Sequence, residues 1–223
     1  MSEVVLVHGA WHGAWCWAQV VDELDALGVS HDAVELPLTG LVDDAATVRD
    51  AIESAVERAG PGVVVVGHSY GGIVISQAAA GVDGVGRLVY LAAFMTDEGE
   101  DELSIMTAHG SPVLGAVVVT DGGAAIDAAQ APALFYGDSD AATVAKAVSL
   151  LRPMRSGGRL EGAPAWQSIP STYVVCTEDR ALPPAAQREM ATRADAVVEW
   201  PTDHSPFLTR PAELAALIAA SAP

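Results

Sequence analysis

Val63-Val64-Val65-Val66 runs directly into Gly67-His68-Ser69-Tyr70-Gly71-Gly72, and that into Ile73-Val74-Ile75-Ser76-Gln77-Ala78. Four valines in a row suit a strand buried on both faces, as in a parallel sheet, because a half-exposed strand would alternate. The closing six residues read as the start of a helix. Between them the Gly-x-Ser-x-Gly spacing puts Ser69 on a sharp strand-to-helix turn. Its hydroxyl then projects above the sheet, and the glycines stand where a side chain would clash. The helix N-terminus behind the turn favours developing negative charge. The spacing alone is a weak signal, but in this strand-turn-helix setting it reads as a nucleophile rather than as a bare tight turn.

Outward from this turn, short apolar, β-branched runs at residues 4–7, 33–36, 63–66, 88–91, 172–176 and 197–200 alternate with helical patterns. That is the signature of an α/β fold: a mostly parallel six-stranded sheet with helices on both faces. Residues 15–27 present Val20, Val21, Leu24 and Leu27 on one helical face, and residues 43–58 present Val48, Ile52 and Val56. Asp43 or Asp44 is the expected cap of the second helix. Residues 95–169 break the alternation. They are expected to form a small lid, with a hairpin near residues 116–123 and a helix over 141–151 ended by Pro153. Residues 1–94 and 170–223 then make up the core. Open α/β sheets bind ligands at the carboxyl ends of their strands, which places the insertion beside any site.

The chain has 223 residues, 51% hydrophobic and 18% charged, and suits one globular domain. Its formal net charge of -18 would repel a polyanion, which argues against nucleic acid as a partner. No apolar run is long enough for a membrane span, and Met1-Ser2-Glu3 leads straight into the first strand without a basic leader, so a cytoplasmic location is expected. Cys16 and Cys176 read as buried apolar residues rather than a disulfide or redox pair. Between Leu88 and Ala145 there is no Lys or Arg, while Asp97, Glu98, Glu100, Asp101 and Glu102 cluster there. The acidity thus falls largely on the expected lid and predicts a preference for neutral or cationic substrates over anionic ones, weakening as salt rises.

A serine hydroxyl is a poor nucleophile until a base takes its proton, and the base needs a group to orient it. In this fold the chain order is serine, acid, histidine. His109 and His204 both follow Ser69. His204, in Thr202-Asp203-His204-Ser205-Pro206 after the last strand, is the better base, and His109 reads as a solvated lid residue. The acid is expected after the fifth strand, in Thr177-Glu178-Asp179-Arg180, and Asp179 is the choice; Glu178, Asp97 and Asp203 are its rivals. The oxyanion hole needs two backbone donors, expected from the amides of Tyr70 and Ala10. His8 and His12 could alternatively be a metal pair, but the glycines at 9 and 13 argue against the helix this spacing needs, and no third ligand is visible.

His8-Gly9-Ala10-Trp11-His12-Gly13-Ala14-Trp15-Cys16-Trp17, the Ser69 turn, Thr177-Glu178-Asp179 and Asp203-His204 resemble the α/β-hydrolase branch that contains plant salicylate methyl esterases, hydroxynitrile lyases and bacterial esterase relatives. The likeness runs over nearly the whole chain, and the opening decapeptide is its specific part. It implies an α/β-hydrolase fold and a cofactor-free Ser-His-Asp enzyme with a small lid and a narrow, mostly apolar pocket. Lyases of this branch carry a threonine shortly after the oxyanion glycine and a lysine after the histidine. Here those positions are Trp11 and Ser205, so the lyase reading loses its cation. Leu38, following Pro37, stands where relatives often have glycine.

The expected activity is hydrolysis of a small neutral carboxylic ester by Ser69, His204 and Asp179, with Ala10 and Tyr70 as the oxyanion hole and no metal. Trp11, Phe94, Trp166 and Phe207 are the candidate substrate contacts. Hydroxynitrile lyase chemistry, a biosynthetic acyl transferase or cyclase, and a hydrolase-like ligand receptor are the alternatives. The partner expected is a small-molecule ester, with no nucleic acid and no membrane; a homodimer is left open.

Overall fold

The computed structural model describes residues 3–155 and 157–222; Met1, Ser2, Ser156 and Pro223 lie outside the described residues, and with them the first two residues of the N-terminal reading. In chain order the elements are β1 (Glu3–Val7), α1 (Ala18–Ala26), β2 (Ser30–Val34), α2 (Leu41–Ala59), β3 (Val63–His68), α3 (Gly71–Ala78) and β4 (Val85–Leu91). The 95–169 segment contributes α4 (Glu102–Ala108), β5 (Val117–Thr120), β6 (Gly123–Ile126), α5 (Ala131–Phe135) and α6 (Ala141–Ser149). The core resumes with β7 (Ser171–Cys176), α7 (Pro184–Ala191), β8 (Ala196–Trp200), α8 (Pro206–Thr209) and α9 (Pro211–Ala220).

Six strands form one sheet in the order β2-β1-β3-β4-β7-β8, every neighbouring pair parallel. All six residues of β3 are buried, because the sheet is covered on both sides. The strand period of two divides its valines between two cores. Val63 and Val65 join Val48, Ile52 and Ala55 of α2 and Met190 of α7 on one face. Val64 and Val66 join Val20 and Leu24 of α1 and Leu214 and Ile218 of α9 on the other. A third cluster, with Val113, Phe135, Tyr136 and Ala147, is built almost wholly within the 95–169 segment and packs against Trp11 and Trp15.

Four local expectations are corrected. The second strand ends at Val34, not at residue 36: Leu36 is fully buried, yet its N–H is donated to His8 Nε2 at 3.0 Å rather than to the sheet. The helix expected from residue 15 starts with a short 3-10 turn, Ala14–Trp17, before α1. Neither Asp43 nor Asp44 caps α2, whose N-cap is Gly40 without a side-chain bond. Asp44 is drawn inward instead, accepting from Leu38 N–H at 2.8 Å and Tyr70 O–H at 2.7 Å. The helix expected over 141–151 ends at Ser149, short of Pro153. The expected hairpin is present as β5 and β6, paired antiparallel, and both cysteines are free and buried. No described helix is long and apolar enough to cross a membrane.

Candidate active site

Ser69 follows β3 with φ of 52°. This left-handed backbone is strained for a non-glycine residue and costs roughly 1–3 kcal/mol, so it persists only where its surroundings enforce it. Ser69 N–H donates to Leu91 O at 3.2 Å, and its carbonyl accepts from Gly72 at 3.0 Å and Phe94 at 3.0 Å. The flanking glycines are sterically required. A Cβ on Gly67 would come 2.6 Å from Gly71 O, one on Gly71 would come 2.6 Å from Val7 O, and one on Gly72 would come 2.6 Å from Phe94 O. The tight turn therefore rests on glycine on both sides of the serine.

His204 stands in the loop after β8 and is 2% exposed. Its Nδ1 lies 2.6 Å from Asp179 Oδ2. Asp179, in the loop after β7, is also buried, and three further donors hold its carboxylate: Ala181 N–H at 2.7 Å, Leu182 N–H at 2.9 Å and Gln187 Nε2 at 2.8 Å. With Asp179 accepting from Nδ1–H, Nε2 is the nitrogen left with a lone pair for a hydroxyl proton. Ser69 and His204 line one cavity of about 450 Å³. Ser69 Oγ makes no hydrogen bond to His204 among the described residues; such contacts are often long in free enzymes and tighten on substrate binding.

Ala10 and Tyr70 line the same cavity, and neither amide N–H donates to another described group. Two rivals of Asp179, Asp203 and Asp97, are engaged elsewhere. Asp203 Oδ2 accepts from Asp138 N–H at 2.9 Å, with Asp203 N–H returned to Asp138 Oδ2 at 2.8 Å. Asp97 Oδ1 accepts from Glu98 N–H at 2.8 Å and Gln167 Nε2 at 3.1 Å. His109 faces Glu189 at 3.3 Å and is absent from the cavity wall.

Trp11 and Phe94 line the cavity, together with Met106, Val113, Leu114, Val117, Phe135 and Leu182. Two expected contacts are corrected. Trp166 turns away: its indole donates to Thr96 O at 2.8 Å and its ring carries the Arg193 guanidinium at 5.9 Å. Phe207 is fully buried beneath the histidines, edge-on to His68 at 4.9 Å and beside Trp17 at 5.6 Å, so it supports the site from behind. Asp101, Glu102, Arg155 and Arg159 form a charged end of the cavity, and this balanced set was not foreseen.

All four ring nitrogens of His8 and His12 are engaged in hydrogen bonds within the protein. His8 Nδ1 donates to Gly9 O at 2.8 Å while Nε2 accepts from Leu36 N–H. His12 Nδ1 donates to Ala10 O at 2.8 Å while Nε2 accepts from Tyr136 O–H at 2.9 Å. Burial pulls their pKa values down to about 4 and about 3, respectively. His68 donates from Nε2 to His204 O at 2.9 Å, and burial drives its pKa well below the usual value. Gln187 was missed because a glutamine in a short amphipathic helix carries no sign of what its amide reaches.

The chain is 30% identical over 246 residues to Methylesterase 7 of Arabidopsis thaliana, covering 97% of this chain and 95% of that one. It is 28% identical to a pheophorbidase of Raphanus sativus, covering 96% and 91%. A pyrethroid hydrolase from Sphingobium faniae superposes with a TM-score of 0.82 at 26% identity, covering 98% and 96%. A model of the alpha/beta hydrolase family matches residues 4–217. With that match spanning nearly the whole chain and the sheet built as described, the chain belongs to the alpha/beta hydrolase family.

Proposed function

We propose that the protein hydrolyses a small, largely apolar, neutral carboxylic ester through an acyl-enzyme. The observation that carries this reading is one cavity bordered by both a strained serine, Ser69, and a histidine, His204, bonded to the buried Asp179. Ser69 Oγ attacks the ester carbonyl as its proton passes to His204 Nε2. Asp179 holds the imidazole tautomer and stabilises the imidazolium without taking the proton. The amides of Ala10 and Tyr70 receive the oxyanion. Collapse of the tetrahedral intermediate breaks the C–O bond, and the alcohol leaves with the proton from His204. Water, deprotonated by the same imidazole, then releases the acid and restores Ser69. The names of the relatives, methylesterase and pyrethroid hydrolase, support an ester as the substrate.

The 95–169 segment serves as a lid in this reading, since Met106, Val113 and Phe135 from it form much of the apolar wall. Trp11 and Phe94 supply the wall on the core side. Arg155 and Arg159 offset Asp101 and Glu102 at the charged end, so the lid's acidity does not extend unbalanced into the cavity. The test is hydrolysis of short-chain p-nitrophenyl esters by the wild type and Ser69→Ala. The variant is expected to lose at least about 10³-fold in kcat. Unchanged turnover in Ser69→Ala sinks the proposal.

A further inference from the structure

His12 is 1% exposed and does not line the cavity, yet it touches both sides of the candidate site. A carbonyl oxygen only accepts, so the 2.8 Å contact with Ala10 O places the proton on Nδ1. Nε2 then bears the lone pair, and the 2.9 Å contact with Tyr136 requires the phenol O–H to donate. Both ring nitrogens are thereby committed in one tautomer. The ring is wedged among Trp15, Phe135, Tyr136 and Phe207, with centroids 5.6 to 6.1 Å away, and cannot turn without breaking both bonds. Burial lowers its pKa to about 3, so the neutral form holds across the working range.

The same short loop is held at three further points by the 95–169 segment. Arg152 N–H donates to Trp11 O at 2.7 Å, its guanidinium donates to His12 O at 3.0 Å, and the Trp11 indole donates to Ala124 O at 3.0 Å. Trp11 itself has φ of 62°, a left-handed backbone that no glycine relieves. Left to itself the loop would relax, and the Ala10 amide would turn with it.

We propose that His12 and Tyr136 are positioning residues for the oxyanion hole: the Tyr136 hydroxyl fixes the His12 ring, His12 Nδ1–H fixes the Ala10 carbonyl and with it the Ala10–Trp11 peptide plane, and His12 N–H reaches Gly9 O, the carbonyl of the plane that carries the Ala10 N–H, at 3.4 Å, so the lid steadies the Ala10 N–H through the residue that joins both planes. Neither side chain touches substrate. The inference rests on the esterase reading above, since it assigns a task to the Ala10 amide. It gives the lid a second role beside covering the cavity: the lid completes the site that stabilises the tetrahedral intermediate.

The experiment measures kcat and KM for a p-nitrophenyl ester in the full chain carrying Tyr136→Phe, His12→Asn or His12→Phe. Binding of a boronic acid, which forms a tetrahedral adduct on serine, and of the planar product acid is measured alongside. Tyr136→Phe is expected to lower kcat by about 5- to 20-fold with KM within twofold. Boronate affinity should fall in parallel while product-acid affinity holds. His12→Asn keeps a donor near the Nδ1 position and is expected to retain more kcat than His12→Phe. Boronate affinity unchanged in both Tyr136→Phe and His12→Phe, in samples whose circular dichroism matches wild type, overturns the proposal. So does an equal fall in boronate and product affinity, the mark of a merely structural role. Ser69→Ala in the same assay separates the two levels. If it leaves turnover intact the esterase reading fails, and if it abolishes turnover while Tyr136→Phe is silent, only the positioning role fails.

Discussion

At Gly9 the candidate site tolerates no side chain. A Cβ there would sit 2.8 Å from Ser69 Cβ and 2.9 Å from His68 Nδ1, inside van der Waals contact on both sides. Gly9→Ala is expected to push Ser69 and His68 apart, lowering kcat more than tenfold and stability by about 1–3 kcal/mol. Steady-state kinetics and urea unfolding on the same samples check this; wild-type values in both would contradict the packing argument. Glu102 offers a different residue-scale test. Its carboxyl lines the cavity against Gly157, where a Cβ would meet it, and burial pushes its pKa up to about 7. The charged and titratable groups around it are Asp101, which is paired with Arg159 at 3.1 Å, Arg155, Tyr70 and, through Tyr70, Asp44. Raising pH through 7 deprotonates Glu102 and removes the net positive charge that Arg155 and Arg159 leave at this end of the cavity while Glu102 is neutral. The kcat/KM ratio of an ammonium-bearing ester to its matched neutral ester is expected to rise severalfold from pH 6 to 8, and Glu102→Gln should flatten that rise.

Helix α2 shows how an element distant from the chemistry reaches it. Its apolar stripe, Leu41, Ala45, Val48, Ile52 and Ala55, follows helical spacing and packs on the sheet. From its first turn Asp44, fully buried, binds both the O–H of Tyr70, the residue after Ser69, and the N–H of Leu38, a residue whose φ of 56° is left-handed. This explains how a leucine is held in a left-handed backbone there without glycine. Asp44→Ala strands both donors. At about 1–3 kcal/mol for each unsatisfied buried group, a loss of about 2–6 kcal/mol in unfolding free energy is expected by urea titration. A change under 1 kcal/mol would mean that water or a rearranged partner replaces the carboxylate.

Across the whole molecule, three imidazoles are buried neutral: His8, His12 and His68. In the unfolded chain each takes up a proton near pH 6.5, whereas the folded forms do so only near 4, near 3 and well below 6.5. Stability from these groups is therefore fully present above pH 6.5 and is lost as pH falls toward those folded values. The slope is up to about 1.4 kcal/mol per pH unit for each histidine. Glu102 opposes this between about 7 and its ordinary value, and Asp44 and Asp203, also raised by burial, oppose it at the acid end. The three histidines, joined at the acid end by carboxylates that their partners hold low, such as Glu100 and Asp101, outweigh the carboxylates raised by burial and leave a net loss as pH falls below 6.5. Thermal unfolding should show Tm falling in step; a flat or rising Tm would contradict it.

The six strands and the helices on both faces were legible because each depends on local patterning, and so was the placing of the candidate serine, acid and histidine: strand and helix period, glycine at a forced turn, and short loops at strand ends. Asp179 could be chosen over Asp203 and Asp97 by its place after the fifth strand, but the reason it suits the role, three further donors on its carboxylate, lies in contacts across the loop and α7. Trp166 and Phe207 could not be placed, since an aromatic side chain near a site in sequence packs equally well behind it. His12 carried no legible task because its partners, Ala10 O and Tyr136, include one 124 residues away. Local sequence thus determined the sheet and the candidate residues at its carboxyl edge. The tertiary structure alone decided which buried polar groups meet, because hydrogen bonds between distant residues have no period along the chain.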